Sequence, residues 1–328
     1  MVLLALFVVF VVLPTTLWMA IALSCRFYDQ RARRLAALVP FAVVVVGFWL
    51  LPPTGALTCW LVLFAMTIFW WLSLRPQAQR DWIAGLEVLP RAEIVGDTLT
   101  IREFRTFRYT ASGETVPRYE VRTFDLARLT SLDYCLSHWA GPLMAHTLVS
   151  FGFDDGRFLT VSVEARRSRR QSYSPLWGMF RSYELIFVLG DENDIVRLRT
   201  NVRRERVYLY RVRMPLERVR QLLVDFLDRV ESLADRPEWY NSVTSNCTTN
   251  LFYHRHNRVP LWVRPAVFLN GFSAYAMYRY GLLDDALPFK ELQGRSEIRE
   301  RALAAGDAED FSRRIRDEAS CGATRQAS

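Results

Sequence analysis

The feature that most constrains the fold is a set of three apolar segments at the N-terminus, at residues 2–24, 35–52 and 56–73. Each is close to the ~20 residues that a helix needs to span the hydrocarbon core of a membrane. Only five of the first 74 residues are charged: Arg26, Asp29, Arg31, Arg33 and Arg34. Residues 1–74 are therefore predicted to form a membrane anchor of about three transmembrane helices.

A cleaved signal peptide followed by a buried hairpin is the alternative. The first segment, however, lacks a basic N-terminal region and is long for a signal peptide. Pro52-Pro53-Thr54-Gly55 leaves room only for a tight turn between the second and third segments. Tryptophans near the segment ends are typical of membrane interfaces.

The remainder is predicted to comprise a catalytic domain at residues 75–290 and a charged tail at residues 291–328. Residues 75–328 hold 38 of the 42 basic residues and 33 of the 34 acidic ones. The two signs are interleaved, which favours a mildly cationic surface near anionic lipid and argues against nucleic acid. The five cysteines form no CxxC pair, so no metal site and no cofactor is expected.

Short β-like runs dominate the first part of this region. A hairpin is predicted around Gly96-Asp97. The further strands are predicted at 119–124, 132–136, 146–153, 158–164, 183–189, 195–200 and 206–214. Residues 215–234 have the apolar period of an amphipathic helix that starts at a proline. The pattern predicts an α+β domain with an antiparallel sheet.

One cysteine, Cys247, lies among small hydroxyl and amide residues just before an apolar run. Ser245 or Asn246 can cap a helix there, which places the thiol in the first turn, where a thiolate is favoured. His146 lies about a hundred residues upstream in a predicted strand. A thiol at a helix start and a strand histidine predict papain-like nucleophilic catalysis.

The loop Asp154-Asp155-Gly156 allows the register of the following hairpin to be predicted. If three residues form the loop, Leu148 faces Ser162 and His146 faces Glu164. This register collects the polar side chains on one surface, whereas a slip by one residue would mix polar and apolar on both. Cross-strand partners are ~5 Å apart, so Glu164 is expected to orient the His146 ring.

The other candidates are weaker. His138 suits a surface or loop role, and His254 and His256 lie too far along a helix from Cys247 to act as its base. The aromatic segment Pro260–Tyr280 is expected to cover the sheet, with an acyl-chain groove or a place on the bilayer surface as alternatives.

Several separate motifs resemble the Lnb-type N-terminal periplasmic domain family over about residues 80–285. The motifs are Arg80-Asp81-Trp82, Leu89-Pro90-Arg91-Ala92-Glu93-Ile94, Ala145-His146-Thr147, Ser162-Val163-Glu164-Ala165-Arg166, Tyr183-Glu184-Leu185-Ile186 and Thr244-Ser245-Asn246-Cys247-Thr248-Thr249-Asn250. The resemblance implies a circularly permuted papain-like (NlpC/P60-like) fold, with histidine before cysteine in the chain.

The resemblance also implies a membrane-anchored cysteine acyltransferase that acts on lipid or lipoprotein acyl groups. The resemblance makes Cys247 the nucleophile and His146 the base, whereas Glu164 as the orienting carboxylate rests on the predicted hairpin register. The oxyanion, or the pair of Cys247 and His146, is expected to be supported by Asn246, Thr248 and Ser162. The expected partners are the lipid bilayer and a phospholipid or lipoprotein substrate.

The expected location is the bacterial inner membrane, with several spans and a periplasmic catalytic domain. The arginines of 26–34 favour a cytoplasmic side for that loop, and three spans would then place the domain in the cytoplasm as well. The family likeness favours the periplasm, and we follow it.

Two other functions stay open at this point. A cysteine peptidase or amidase would act on cell-wall peptide, with water as acceptor. A non-catalytic membrane scaffold would keep His146 and Cys247 without using them.

Overall fold

The computed structural model describes residues 2–77, 79–110, 114–252 and 270–316. The chain divides into two compact units. The first, called the anchor unit, consists of Met1–Asp81, Arg167–Glu184 and Trp239–Ser242. The second, called the sheet unit, consists of Trp82–Arg166, Leu185–Glu238 and Val243–Ser328.

The anchor unit is built on three apolar helices, α1 (Val2–Ser24), α2 (Gln30–Leu50) and α3 (Pro53–Ser73), each long and apolar enough to cross a membrane. They confirm the apolar segments predicted from the sequence. No more than 17% of the most apolar stretch of each helix is buried inside the protein. Most of this apolar surface is therefore available to lipid, as a spanning helix requires.

Local sequence explains where these helices begin. The Asp29 side chain accepts a hydrogen bond from the Ala32 amide at 2.9 Å and so caps the start of α2. Leu51 and Pro52 alone separate α2 from α3, which is the tight turn expected there. The helices pack through a cluster centred on Val12, Met19, Val44 and Trp60.

Within the described residues, the sheet unit contains eight strands in one sheet, and two short strands pair separately. In chain order the strands are β1 (Arg91–Val95), β2 (Thr98–Arg105), β3 (Arg108–Tyr109), β4 (Thr115–Val116), β5 (Tyr119–Asp125), β6 (Leu129–Ala140), β7 (Met144–Phe153), β8 (Phe158–Arg166), β9 (Glu184–Gly190) and β10 (Arg206–Arg211). The order across the large sheet is β1-β2-β9-β8-β7-β6-β10, and β5 also pairs with β2. The short pair is β3 with β4.

The sheet is mixed, which corrects the expectation of an antiparallel one. The hairpins and the β6–β10 pair are antiparallel, but β2 and β9 pair in parallel through Arg105 and Gly190. A Cβ atom at Gly190 would lie 2.5 Å from the Arg105 carbonyl oxygen, so glycine permits this close approach. The α+β class itself is confirmed.

The β7–β8 hairpin has the register predicted from its loop. Leu148 pairs with Ser162, and Ser150 pairs with Thr160. The Phe153 amide donates to the Arg157 carbonyl at 3.0 Å, which closes the loop as expected. The polar side chains consequently share one face of this hairpin.

Helices complete both units. In chain order, the helices of the described residues are α4 (Pro175–Gly178), α5 (Glu192–Arg197), α6 (Leu216–Asp235), α7 (Cys247–Phe252), α8 (Ser273–Arg279), α9 (Phe289–Ser296), α10 (Arg299–Ala305) and α11 (Phe311–Arg314). The amphipathic helix predicted at 215–234 is α6. Its buried face is Val219, Leu223, Phe226, Leu227, Val230 and Leu233.

The strand predicted at 195–200 is wrong, because this segment is helical. Asp191 precedes α5, and its carbonyl accepts from the Ile195 amide at 2.9 Å. Glu192 and Asp194 lie in the first turn, where acidic side chains stabilise a helix. A π-helix, Leu198–Val202, follows directly.

The C-terminal region contributes to the core of the sheet unit. Ala302, Phe311 and Ile315 are buried in the same apolar cluster as Cys135 and Leu148. The aromatic segment Pro260–Tyr280, which is expected to cover the sheet, is described only from Asn270 onward. There Ala274, Ala276 and Met277 are buried, while Phe272 and Tyr275 are exposed.

Candidate active site

Cys247 is the first residue of α7, and Asn246 caps this helix. The Asn246 Oδ1 accepts hydrogen bonds from the amides of Thr248 at 2.8 Å and Thr249 at 2.9 Å. The Thr249 hydroxyl in turn accepts from the Asn246 amide at 2.7 Å. This reciprocal arrangement fixes the start of α7 and confirms the predicted cap. The Cys247 side chain is buried.

His146 lies on β7, on the polar face of the hairpin. Its Nε2 is 2.8 Å from the Ser162 Oγ and 3.3 Å from the Glu164 Oε1. The Ser162 hydroxyl donates to the same Glu164 oxygen at 2.8 Å, so it accepts from the histidine. Because Nε2 is engaged in this way, the other ring nitrogen is the one available to a thiol. The predicted placement of Glu164 beside His146 is confirmed.

Cys247 and His146 interact electrostatically, and each shifts the pKa of the other. Burial alone raises the pKa of the Cys247 thiol, but the charge of His146 and a hydrogen bond to its ring lower it to about 6. The backbone and hydroxyl of Thr147 act in the same direction. The dominant form of the thiol at neutral pH is therefore the thiolate.

The same pairing favours the protonated histidine. Burial and the charge of Arg199 lower the pKa of His146, yet Glu164 and Cys247 outweigh them, and the net shift is upward. Burial alone would raise the pKa of the Glu164 carboxyl, but His146 and Arg199 hold it well below its ordinary value. Each of the three shifts therefore favours the charged form of its group: the thiolate of Cys247, the imidazolium of His146 and the carboxylate of Glu164.

Arg199 extends this series, and nothing in the sequence pattern singles it out. Its Nη2 donates to the Glu164 Oε1 at 2.6 Å, and its Nη1 is 3.6 Å from the Glu205 Oε2. Its side chain is almost fully buried. The π-helix Leu198–Val202 carries it, and such helices recur at functional sites. In their charged forms, the groups from Cys247 through His146, Glu164 and Arg199 to Glu205 alternate in sign.

Asn270 is a second residue that the sequence did not indicate. Its Nδ2 lies 3.8 Å from the Cys247 sulfur, and its Oδ1 accepts from the Ala145 amide at 2.8 Å. It also donates to the Ala145 carbonyl oxygen. Two contacts with the backbone next to His146 fix its amide beside the thiol. Chain distance hides this relation, since Asn270 follows Cys247 by more than twenty residues.

The residues expected to support the oxyanion have defined partners. The amide of Thr248 is occupied by the Asn246 cap, and its hydroxyl lies 3.3 Å from the Thr147 hydroxyl and 3.8 Å from the Cys247 sulfur. Ser162 contacts His146 and Glu164 rather than the thiol. An oxyanion role for Asn246, Thr248 or Ser162 stays a prediction.

The remaining thiols and imidazoles that the structure describes lie in other settings. Cys135 is fully buried in the apolar core, and burial raises the pKa of its thiol. His138 contacts the Gly141 carbonyl oxygen through a ring nitrogen at 3.3 Å, and burial lowers its pKa. His254 and His256 lie outside the described residues. Within the described ranges, no group of histidine, cysteine and acidic residues is placed to hold a metal ion.

The chain combines three helices suited to a membrane with an α+β unit that contains a buried cysteine–histidine pair. Together these features define a membrane protein that carries a folded, thiol-bearing domain. The family model of the Lnb N-terminal periplasmic domain matches residues 115–270. The resemblance identified from the motifs is thereby confirmed. No curated protein and no solved structure matched the chain.

Proposed function

We propose that this chain is a membrane-anchored cysteine acyltransferase of the bacterial inner membrane that acts on lipid or lipoprotein acyl groups. The observation that carries the proposal is the Cys247–His146 pair, because the imidazole lowers the pKa of a buried thiol to about 6. A buried cysteine without such a partner has its pKa raised, as Cys135 does. A folded protein has no structural need for a buried thiolate, which is costly to desolvate.

The first half-reaction forms a thioester. The thiolate of Cys247 attacks the carbonyl carbon of an acyl ester, and the carbonyl oxygen becomes an oxyanion. The Asn270 amide, beside the sulfur, is placed to donate to it. The bond to the alkoxy oxygen then breaks, and the imidazolium of His146 gives its proton to the leaving alcohol.

The second half-reaction transfers the acyl group to an amine. Neutral His146 accepts a proton from the amine as its nitrogen attacks the thioester carbon. The carbon–sulfur bond breaks, the acyl group leaves as an amide, and the thiolate–imidazolium pair is restored. Ser162 and Glu164 hold the ring by Nε2 throughout, so its orientation stays constant.

The order of histidine before cysteine, the helix-start thiol and the strand histidine support a permuted papain-like arrangement for this unit. The family match and the three apolar helices support a periplasmic domain held at the membrane. The acyl donor would then reach the site from the bilayer, and the acceptor would be an amine of a lipoprotein. Hydrolysis of peptide or ester bonds is the competing outcome.

The test is an assay of the full chain in lipid vesicles with a phospholipid radiolabelled in its acyl chain and a lipopeptide with a free N-terminal amine. We expect hydroxylamine-sensitive label on Cys247 and labelled amide product. Cys247→Ala and His146→Ala should each reduce transfer by at least about 10³-fold. Cys59→Ala, which removes an exposed thiol of the anchor unit, is the matched control.

The outcomes separate the functions. Release of labelled fatty acid without amide product would replace the transferase by a hydrolase. Cleavage of a cell-wall peptide with no labelled enzyme would support the peptidase. If either dyad variant kept wild-type turnover while folded, the proposed nucleophile and base would be wrong.

A further inference from the structure

The positive charge of the chain is concentrated in the anchor unit. This unit holds ten arginines and three acidic residues, a balance of +7 (10 − 3) out of the +8 of the whole chain. The sheet unit is almost neutral, with 32 basic and 31 acidic residues. The arginines, together called the cationic collar, are Arg26, Arg31, Arg33, Arg34, Arg75, Arg80, Arg167, Arg169, Arg170 and Arg181.

Three segments bring the cationic collar together. The Arg26 guanidinium donates to the carbonyl oxygens of Phe180 at 2.9 Å and Arg181 at 2.8 Å. The Arg181 guanidinium donates to the Trp71 carbonyl oxygen, at the end of α3, at 2.8 Å. The Arg169 amide donates to the Asp81 carbonyl at 2.8 Å. The loop after α1, the residues after α3 and the segment 167–184 therefore meet at one end of the helices.

The backbone at Arg181 shows that this junction is built with some strain. Its φ is +54°, in the left-handed region that non-glycine residues rarely adopt. This conformation lets the carbonyl oxygen face Arg26 while the side chain reaches α3. The surrounding contacts hold a conformation that the chain would not adopt alone.

Tryptophans and exposed apolar side chains are interspersed with these arginines. The Arg33 guanidinium lies 4.3 Å from the centre of the Trp177 ring, and the Arg181 guanidinium lies 4.0 Å from that of Trp71. Leu176 and Met179 are 46% and 41% exposed. Arginine, tryptophan and exposed aliphatic groups together are typical of the headgroup level of a bilayer.

Acidic residues do not balance this charge. Asp29 caps α2, and Asp81 pairs with Arg169 at 2.9 Å. Glu184, the third acid, is buried. Arg31, Arg34, Arg75 and Arg170 are exposed, and the described part of the chain contains no ion pair to any of them.

We propose that the cationic collar is a binding surface for the headgroups of anionic phospholipids. The surface is continuous with the lipid-facing helices: Leu72, in the last turn of α3 beside the Trp71 carbonyl that binds Arg181, is itself 54% exposed. Phosphate groups at the headgroup level would supply the negative charge that the protein lacks there. The inference does not depend on the catalytic role of Cys247.

The test uses the full chain reconstituted in bilayers of phosphatidylcholine and phosphatidylglycerol, with spin-labelled lipids of each class. Electron spin resonance gives the relative association constant of the two lipids for the protein surface. We expect a preference for phosphatidylglycerol of about threefold or more, which falls as salt screens the charges.

The variant carries Arg31→Gln, Arg34→Gln, Arg75→Gln and Arg170→Gln, none of which is expected to remove a folding contact. The preference should fall to nearly one. The matched control carries Arg102→Gln, Arg218→Gln, Arg236→Gln and Arg299→Gln, which remove four exposed charges from the sheet unit. It should keep the wild-type preference. Arg75→Gln and Arg170→Gln, tested singly, replace the fourfold variant if that variant does not fold.

Three results would overturn the proposal. The first is a wild-type protein with no preference for the anionic lipid. The second is an equal loss in the control, which would assign the effect to total charge. The third is removal of the preference by millimolar glycerol phosphate at constant ionic strength, which would assign the surface to a soluble phosphate ester.

Discussion

Cys247 and Cys135 show how the same residue type acquires opposite properties in one protein. Both thiols are buried, and burial by itself raises the pKa of each. Cys247 has an imidazole as its neighbour, whose charge reverses the shift. The α7 helix, with six residues, adds at most a weak dipole. Reactivity at this site therefore depends on His146 more than on the helix.

The pH dependence of alkylation tests this assignment. Reaction of Cys247 with iodoacetamide should rise with pH through a midpoint near pH 6, because the thiol loses its proton there. In His146→Ala the lowering charge is gone and burial remains, so the midpoint should move upward from pH 6. Mass spectrometry of the peptide that contains Cys247 provides the measurement. An unchanged midpoint in this variant would exclude the ion pair.

Ser162 is predicted to hold the His146 ring rather than to react. Ser162→Ala removes a hydrogen bond to a charged group, so kcat/KM for acyl transfer should fall by about tenfold or more. Ser150→Ala is the matched control. It removes a buried hydroxyl from the same polar face, where Ser150 contacts Thr160 at 2.8 Å.

Steady-state kinetics and the alkylation midpoint are measured for both serine variants. Ser162→Ala should lower kcat and leave the free energy of unfolding close to that of Ser150→Ala. An equal loss of activity in the two variants would mean that Ser162 acts only through stability.

At the scale of elements, the site joins a hairpin to a helix start. The β7–β8 register places His146, Ser162 and Glu164 on one face, and the Asn246 cap fixes the first turn of α7. Both elements were predictable, since strand alternation and capping are local rules. The helical conformation of 192–202 was not, because Ile195–Thr200 has the apolar, β-branched composition of a strand. That misassignment concealed Arg199.

The cap of α7 can be tested by stability. Asn246→Ala leaves the Thr248 and Thr249 amides without their acceptor, so the free energy of unfolding should fall by about 1 kcal/mol. Asn246→Asp keeps an acceptor oxygen and should stay within a few tenths of the wild-type value. Chemical denaturation of the full chain in detergent gives both numbers. Equal losses in the two variants would contradict a capping role.

At the scale of the whole molecule, the two units differ in charge and in surface. The anchor unit carries the excess of arginine and the apolar helices, whereas the sheet unit holds the buried Cys247 thiol and is nearly neutral in net charge. Arg26 and Arg33 of the loop after α1 are engaged by carbonyl oxygens and rings within the anchor unit. Arg31 and Arg34 of the same loop are exposed, so the charge of this loop still favours a cytoplasmic side by the positive-inside rule.

Against that rule, we expect residues 75–328 to face the periplasm, because the matching family model is named for a periplasmic domain. Alkaline phosphatase fused after Ser328 should be active in cells, and a reporter that works only in the cytoplasm should be inactive there. Arg26→Gln combined with Arg33→Gln should leave this orientation unchanged. The opposite reporter pattern would place the domain in the cytoplasm and remove lipoprotein amines as acceptors.

The sequence by itself determined the properties that depend on neighbours along the chain. It determined the three apolar helices, the Asn246 cap, the amphipathic α6 and the β7–β8 register, because helix length, capping and alternation are set within a few residues. The same register placed Glu164 beside His146 before any three-dimensional information.

Only the tertiary structure decided the features that join distant parts of the chain. Three such contacts join residues that have no periodic relation in sequence: the parallel pairing of β2 with β9, the hydrogen bond from buried Arg199 to Glu164, and the contact of the Asn270 amide with the Cys247 sulfur. The lowered pKa of Cys247 belongs to the same group, since burial and an opposite charge act through space. Such contacts form when the sheet and the helices pack together, and no rule of local spacing encodes them.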